Sequence, residues 1–445
     1  MEKVAAAYEK DYGVPVLLQL GGSQTLLANL QVTQTGDLFL PADDSYLQLA
    51  EEKQLTLNRA EIATQSIYLV ISADVKSPPK NLTEALQQKL SFALSNPDTT
   101  AIGKLIRQSL PAATFQQLEQ RAATTAATVT EAANAVKAGA AQATFIWDAM
   151  LSLYPDLHSI PCAELAELQS QVSFALLKNS KSPAQAMHFV RYATAKDKGL
   201  THFKKLGFNT IAGDNWTEKP ELTVYAGSML RPAIEQTLID FEQREGIPVT
   251  RVYNGCGILV AQMKAGKHPD AYFACDQAFM EQMQSSFPKP EAIAQNQLVI
   301  LVQKGNPHRI ADLKDLIKPG LKVGIGHEKQ CAMGWITQKT FTESGITEKV
   351  MQNVTVQTPT GDMLVNQMQT GSLDAAVTYL SNAVGAGDKL DAVAIQGVKC
   401  SVATQPFAIW KDTPHVQLAK RLHSALASAE SKNRFEAEGF SWQKK

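Results

Sequence analysis

Nowhere does this chain offer the roughly 18 to 20 uninterrupted apolar residues that a membrane-spanning helix requires. Neither sign of charge is in excess, with 42 Lys and Arg against 43 Asp and Glu. Bulk electrostatics therefore favours neither nucleic acid nor an anionic membrane as a partner, and any anion site has to be local. There is no CxxC pair. The five cysteines, Cys162, Cys256, Cys275, Cys331 and Cys400, are too sparse for a disulfide framework, although four of them fall in the second half and leave room for one or two bridges. The opening MEKVAAAYEKDYG is charged from residue 2 and lacks the basic, apolar and small-residue regions of an export signal. Taken literally, that opening keeps the chain in the cytoplasm.

What remains has the composition of a folded protein, 44% hydrophobic and 19% charged, and 445 residues exceed one ordinary core. An internal repeat divides it. Tyr8-Glu-Lys-Asp-Tyr-Gly-Val-Pro-Val16 lies over Phe241-Glu-Gln-Arg-Glu-Gly-Ile-Pro-Val249 at an offset of 233 residues, which also pairs Gly22 with Gly255, Ser23 with Cys256, Asp37 with Asp270 and Asp43 with Asp276. At 231, Leu82 pairs with Leu313 and Gly103 with Gly334. At 232, Asn134 pairs with Asn366, Gly139 with Gly371, Trp147 with Tyr379, and FKKLGF (203–208) with FEAEGF (435–440). A drift of one or two residues is what loop insertions and deletions produce. Domains over 1–208 and 221–445 follow, joined by a linker over 209–220, NTIAGDNWTEKP, rich in small, polar and turn residues.

In the second copy the pattern reads as strand Leu222 to Tyr225, helix from about Leu230 to Arg244 and strand Pro248 to Tyr253, a βαβ unit. Helix Ile258 to Ala265, strand 270–274, a helix, strand 297–303, helix 310–317 and strand 321–326 follow. Alternation of this kind indicates an α/β fold with parallel sheets, in which ligands bind where strands end and helices begin. Gly227-Ser228 and Gly255-Cys256-Gly257 sit at two such places, where unpaired N–H groups and the helix dipole favour an anion. Asp43 and Asp276, after a strand in each copy, read as helix caps. Asn134 and Asn366 recur mid-helix, at a hinge or pocket rim.

The order TVYAGSML, NGCGILVAQM, PDAYFACD, a glycine-rich turn and GSLDAAVTY resembles the periplasmic molybdate-binding proteins of ABC importers. Their pattern is A-A-S-L, S-S-x-x-L-x-x-Q-I, P-A-D-x-F-x-S-A-D, P-A-G and G-I-V-Y. The match runs through 221–440, and the repeat extends it to 1–208. The resemblance implies two tandem type II periplasmic-binding-protein-like domains, each with two α/β lobes around a hinge. It implies capture of molybdate, tungstate or a similar tetrahedral oxyanion outside the cytoplasm, with a membrane permease as partner and neither catalysis nor a cofactor.

Carried over by position, the oxyanion would meet Ser228, Cys256, backbone at Met333, backbone near Asp362 or Met363, and Tyr379. In the first copy the equivalents are Ser23, Ile102, Thr130 or Glu131, and Trp147 in place of tyrosine. Neutral donors suit a doubly charged oxyanion, because aimed dipoles replace its water without burying a cation. A thiol at Cys256 is larger and a poorer donor than the family's serine hydroxyl, which implies weaker oxyanion binding there or a softer ligand.

For Cys256 the alternatives are a small buried residue at a tight turn, a ligand-lining thiol, or a nucleophile; the nearby His268 lies in a surface turn and gives little support to catalysis. Tyr379 reads either as a core-edge tyrosine or as a ligand. A soft-metal site from Cys256, Cys275, His327 and Cys331 is a further alternative, as is a sensor or scaffold on the same fold. The first copy has no counterpart for the strand carrying Ser228, so a strand and an export signal are expected upstream of Met1.

Overall fold

The structure, a computed structural model, describes residues 1–165 and 170–444. It divides into two compact units, Met1–Glu218 and Lys219–Lys445. Each has its own apolar core.

The repeated opening motif forms the same local structure in both units. Helices Glu2–Tyr12 and Arg231–Glu245 end at Gly13 (φ 69°) and Gly246 (φ 65°), each in the left-handed conformation that glycine adopts without a Cβ penalty. The N–H of each glycine donates to the carbonyl of Glu9 or Glu242, closing the last turn. Tyr8 and Phe241 are buried at matching places on the inner faces. After the glycine the units part company. Val249–Asn254 forms a strand because Leu222–Gly227 lies parallel beside it, whereas residues 14–22 take no regular structure. Leu17 and Leu20 there are 93% and 71% exposed.

In the second unit one sheet path runs through strands Val249–Asn254, Leu222–Gly227, Ala271–Phe273, Val402–Ile409, Glu291–Gln303, Ala375–Tyr379, Val323–Gly326 and Val354–Thr358. The expected parallel sheets are in fact mixed. Leu222–Gly227 has parallel neighbours, as does Val323–Gly326, but Val402–Ile409 and Glu291–Gln303 run antiparallel to theirs. Periodicity signals a strand without fixing its direction.

Glu291–Gln303 begins six residues earlier than its apolar core suggests. Its first half pairs with Val402–Ile409 and its second half with Ala375–Tyr379, so a single strand passes through both halves of the unit. Residues 298–302 are buried on both faces, as a central strand requires. The helix expected over 310–317 is only a 3₁₀ turn, Leu313–Ile317. The Asp312 and Asp315 side chains close it as a reciprocal capping box.

In the first unit the corresponding run is divided into Thr56–Gln65 and Ile67–Ile71, which lie in separate sheets of four and five strands. Residues 209–216, inside the expected linker, are fastened to this unit. Asn209–Thr210 pairs with Ala63 and Thr64, and the Trp216 N–H donates to the Asp197 carboxylate at 2.7 Å. The Trp216 indole packs edge-on against Tyr12, His188 and Tyr192. Turn-like composition conceals an aromatic anchor.

The second unit holds its first helix against Val416–Leu426 by a buried bidentate ion pair. Arg421 Nε and Nη2 each lie 2.9 Å from a Glu245 carboxylate oxygen, and both side chains are almost fully buried. Breaking a buried ion pair by removing one partner typically costs ~3–5 kcal/mol. Arg421→Met is therefore expected to destabilise the second unit by about that much in urea denaturation, with most of the loss recovered by adding Glu245→Leu. Equal losses in the single and double variants would contradict this.

Candidate functional site

Strand ends and helix starts of the second unit meet at one place. Val249–Asn254 runs into helix Cys256–Lys264, Val323–Gly326 precedes helix Ala332–Glu343, and Val354–Thr358 precedes helix Gly361–Gln369. The Gly257 N–H donates to the Gln330 carbonyl at 3.1 Å. A Cβ on Gly255 would overlap the carbonyl oxygens of both Gln330 and Pro359. Glycine at 255 is thus what lets the start of the first of these helices approach the segments leading into the other two.

All three helices begin without a side-chain cap. The N-cap positions are Gly255, Cys331 and Thr360, and none accepts a hydrogen bond from the first turn. The hydroxyl of nearby Thr358 donates to the Thr360 carbonyl, which satisfies an acceptor and leaves the N–H groups of the turn available.

The first unit solves the same problem differently. Helix Ala101–Ser109 is capped by the Thr100 hydroxyl, which accepts from the Gly103 N–H at 3.1 Å. Helix Val129–Lys137 is capped by Thr128, which accepts from the Glu131 N–H at 3.1 Å, while the Glu131 carboxylate accepts from the Ala127 N–H. Of the three corresponding helix starts, that of Ser23–Thr33, with Gly22 as N-cap, lacks a side-chain cap.

Beside the uncapped turns lies a group of buried thiols and hydroxyls. Cys256 and Cys275 have their sulfurs 2.8 Å apart, and the Cys275 N–H donates to Cys256 Sγ at 3.1 Å. The same bond occurs in the first unit, where the Ala42 N–H donates to Ser23 Oγ at 3.1 Å. Burial pushes the Cys256 thiol up, but hydrogen bonding with the Cys275 thiol and from the Cys275 N–H pulls it down, and the net direction is down. Hydrogen bonding with Cys256, together with burial, pushes Cys275 well above the ordinary thiol range. Burial pushes Cys331 up to about 12. It also raises Tyr379 and Asp276, so the tyrosine is a neutral donor. The Tyr379 and Ser381 hydroxyls are buried without a hydrogen-bond partner, a condition that calls for a ligand or water.

The residues proposed from sequence are placed as follows. Ser228 is half-buried at the turn Ser228–Leu230, directly after Gly227. Cys256, Met333 and Tyr379 are buried at helix starts or a strand end. Asp362 and Met363 occupy the first turn of Gly361–Gln369, with side chains exposed; Asp362 accepts a long bond from Asn382 Nδ2 at 3.4 Å. In the first unit Ser23 is engaged by Ala42, Ile102 and Trp147 are buried, and Thr130 is exposed, its carbonyl receiving a 3.5 Å contact from the Tyr154 hydroxyl.

Asp43 and Asp276 are helix caps, accepting from the Ser45 and Ala278 N–H groups. Asn134 accepts from the Tyr154 hydroxyl at 3.1 Å, which ties it to a neighbouring turn, and Asn366 is exposed. The soft-metal alternative does not assemble. His327 Nδ1 accepts from the Lys329 N–H, and no group of three or more His, Cys, Asp or Glu among the described residues is arranged to hold a metal ion. The sequence reading missed the caps at Thr100 and Thr128. The T-x-x-E spacing of Thr128 and Glu131 was the available signal for the second.

A model of the bacterial extracellular solute-binding protein family matches residues 1–209 and 222–441. A putative binding protein of Haemophilus influenzae is 28% identical over 173 residues, covering 38% of this chain and 71% of its own length. The molybdate-binding protein ModA of Mycobacterium tuberculosis is 26% identical over 223 residues, covering 49% of this chain and 84% of its own. Among solved structures, the periplasmic molybdate-binding protein of Azotobacter vinelandii matches at 17% identity and a TM-score of 0.43, covering 50% of this chain and 99% of its own.

Gly227 makes room for the sulfur pair, since a Cβ there would overlap Cys275 Sγ and lie 3.0 Å from Cys256 Sγ. Gly227→Ala is expected to destabilise the second unit by ~1–3 kcal/mol through overpacking. Adding Cys275→Ala, which restores the residue type of Ala42, should recover most of it in thermal denaturation. A double variant no more stable than Gly227→Ala would contradict this packing.

Proposed function

The chain belongs to the bacterial extracellular solute-binding protein family, and from that premise we propose that its second unit captures a tetrahedral oxyanion, molybdate or tungstate, for an ABC importer. Membership assigns it the capture of a solute rather than chemistry upon one. The observation that carries the choice of an oxyanion is the group of three uncapped helix starts brought near one another. First-turn N–H groups need an acceptor, and the helix dipole gives them a partial positive charge, so a doubly charged anion satisfies both at once. The unpartnered Tyr379 hydroxyl supports the same reading as a neutral donor.

Similarity to proteins named as molybdate-binding agrees with this choice, and a relative in Bacillus subtilis named as a putative ABC transporter substrate-binding lipoprotein supports an importer as partner. The ligand is taken up outside the cytoplasmic membrane, and the membrane is reached only through the permease. No helix among the described residues is long and apolar enough to cross it. Strand Glu291–Gln303, shared by both halves of the unit, is where opening and closing would flex. In the first unit Thr100 and Thr128 already occupy the N–H groups of Gly103 and Glu131 in the corresponding first turns. That supports a first unit without this ligand, serving as a surface for partners.

Calorimetric titration with molybdate and tungstate, with sulfate and phosphate for comparison, is expected to give saturable binding. Tyr379→Phe should weaken it by roughly 10- to 150-fold, the ~1.5–3 kcal/mol of a hydrogen bond to a charged group. Absence of saturable heat with any oxyanion, or unaltered affinity in Tyr379→Phe, would contradict the reading.

A further inference from the structure

The repeat isolates one difference that solute capture does not explain. Where the first unit joins Ser23 to Ala42 through an N–H···O bond, the second places Cys256 and Cys275 in the same relation through an N–H···S bond. Two cysteines have entered positions that a serine and an alanine fill elsewhere in the same chain. Their sulfurs lie 2.8 Å apart, and the backbone facing them is Gly227, where any Cβ would overlap Cys275 Sγ. A bulkier side chain accommodated by loss of a facing Cβ makes a fitted pocket for the pair. The other three cysteines make no comparable contact. Cys162 lies near Glu164, Cys400 faces the Thr340 hydroxyl at 3.8 Å, and no sulfur contact joins Cys331 to a second cysteine.

We propose that Cys256 and Cys275 are a reversible dithiol–disulfide pair beside the ligand cleft, oxidised by exchange with a small disulfide. The thiolate of Cys256 attacks one sulfur of the oxidant, forming a mixed disulfide and expelling the oxidant's other sulfur as a thiolate. Cys275 then loses its proton and attacks the Cys256 sulfur, closing the Cys256–Cys275 bond and releasing the oxidant's remaining sulfur. The two cysteine protons end on the two thiols released. The protein loses two electrons and the oxidant gains them. Which sulfur attacks first follows from the backbone: the Cys275 N–H donates to Cys256 Sγ, which stabilises a thiolate there and favours Cys256 as the attacking sulfur.

The bond would tie the first residue of helix Cys256–Lys264 to the residue preceding the Asp276 cap. Of the three uncapped helix starts, this one would then be covalently fixed.

The test equilibrates the intact chain in an oxidising buffer of hydroxyethyl disulfide and mercaptoethanol, then counts thiols with maleimide after unfolding. The expected result is loss of two of the five thiols and a tryptic cross-link joining the peptides of Cys256 and Cys275. Cys256→Ser, which restores the residue type of Ser23, should keep all its remaining thiols. The same buffer is applied during refolding from denaturant, where every sulfur meets solvent. Five thiols retained in both native and refolded chain, or a bond joining a different pair, overturns the proposal. The outcome is independent of the ligand: a chain indifferent to molybdate that still forms this bond loses the proposed function and keeps the pair.

Discussion

The first turn of an α-helix carries N–H groups with no partner inside the helix, and where that turn is buried something else has to accept from them. The two units of this chain meet that requirement in different ways, and most of what distinguishes them follows. In the first, Thr100 and Thr128 turn their hydroxyls back onto the N–H groups of Gly103 and Glu131, so these helix starts are satisfied from within. In the second, Cys331 stands where Thr100 would be, Thr360 leaves its hydroxyl out of the cap, and Gly255 has no side chain to offer. Three neighbouring helix starts without a side-chain cap are what the proposed anion site rests on.

Bringing those starts together depends on close backbone approach, which is why glycine recurs there. Gly255 and Gly257 sit against the carbonyls of Gln330 and Lys329, and Gly227 sits against the sulfur pair. Buried groups around them stay neutral for the most part. Cys331 and Tyr379 are held protonated by burial, so the cleft offers dipoles rather than fixed charge. Cys256 is the exception in direction, pulled down by its hydrogen bonding with Cys275 while Cys275 is pushed up. Ion pairing is used elsewhere, far along the sequence, where Glu245 and Arg421 fasten the first helix of the unit.

Much of this was legible in the sequence where a local rule applies. The glycine that ends Arg231–Glu245 could be read from its place between the expected helix and the strand after it, and the caps at Asp43 and Asp276 from their place after a strand. Direction and extent were not legible. Glu291–Gln303 is extended well beyond its apolar run because Val402–Ile409, more than a hundred residues away, supplies a partner for the polar half. The run at 310–317 has helical spacing, but Asp312 and Asp315 cap its start only at residue 312, and Lys318 leaves helical geometry ahead of Pro319. At the site, sequence placed Cys256 and Tyr379 at the right strand and helix ends. It did not reveal that Cys256 spends its sulfur on Cys275, because that contact is made only when Val249–Asn254 and Ala271–Phe273 take their places on either side of Leu222–Gly227. Whether Thr100 and Thr360 cap their helices is likewise a matter of side-chain direction, which identical residue types do not determine.

Hydrogen exchange along the whole chain, with and without molybdate, tests the central claim most directly. Slower exchange on adding molybdate is predicted in the amides of residues 256, 332–334 and 361–363, where no side chain caps the helix. No change is predicted at 101–103 and 129–131, where Thr100 and Thr128 already do. Exchange unaffected by molybdate in the second unit, or slowed equally in both units, would contradict the account.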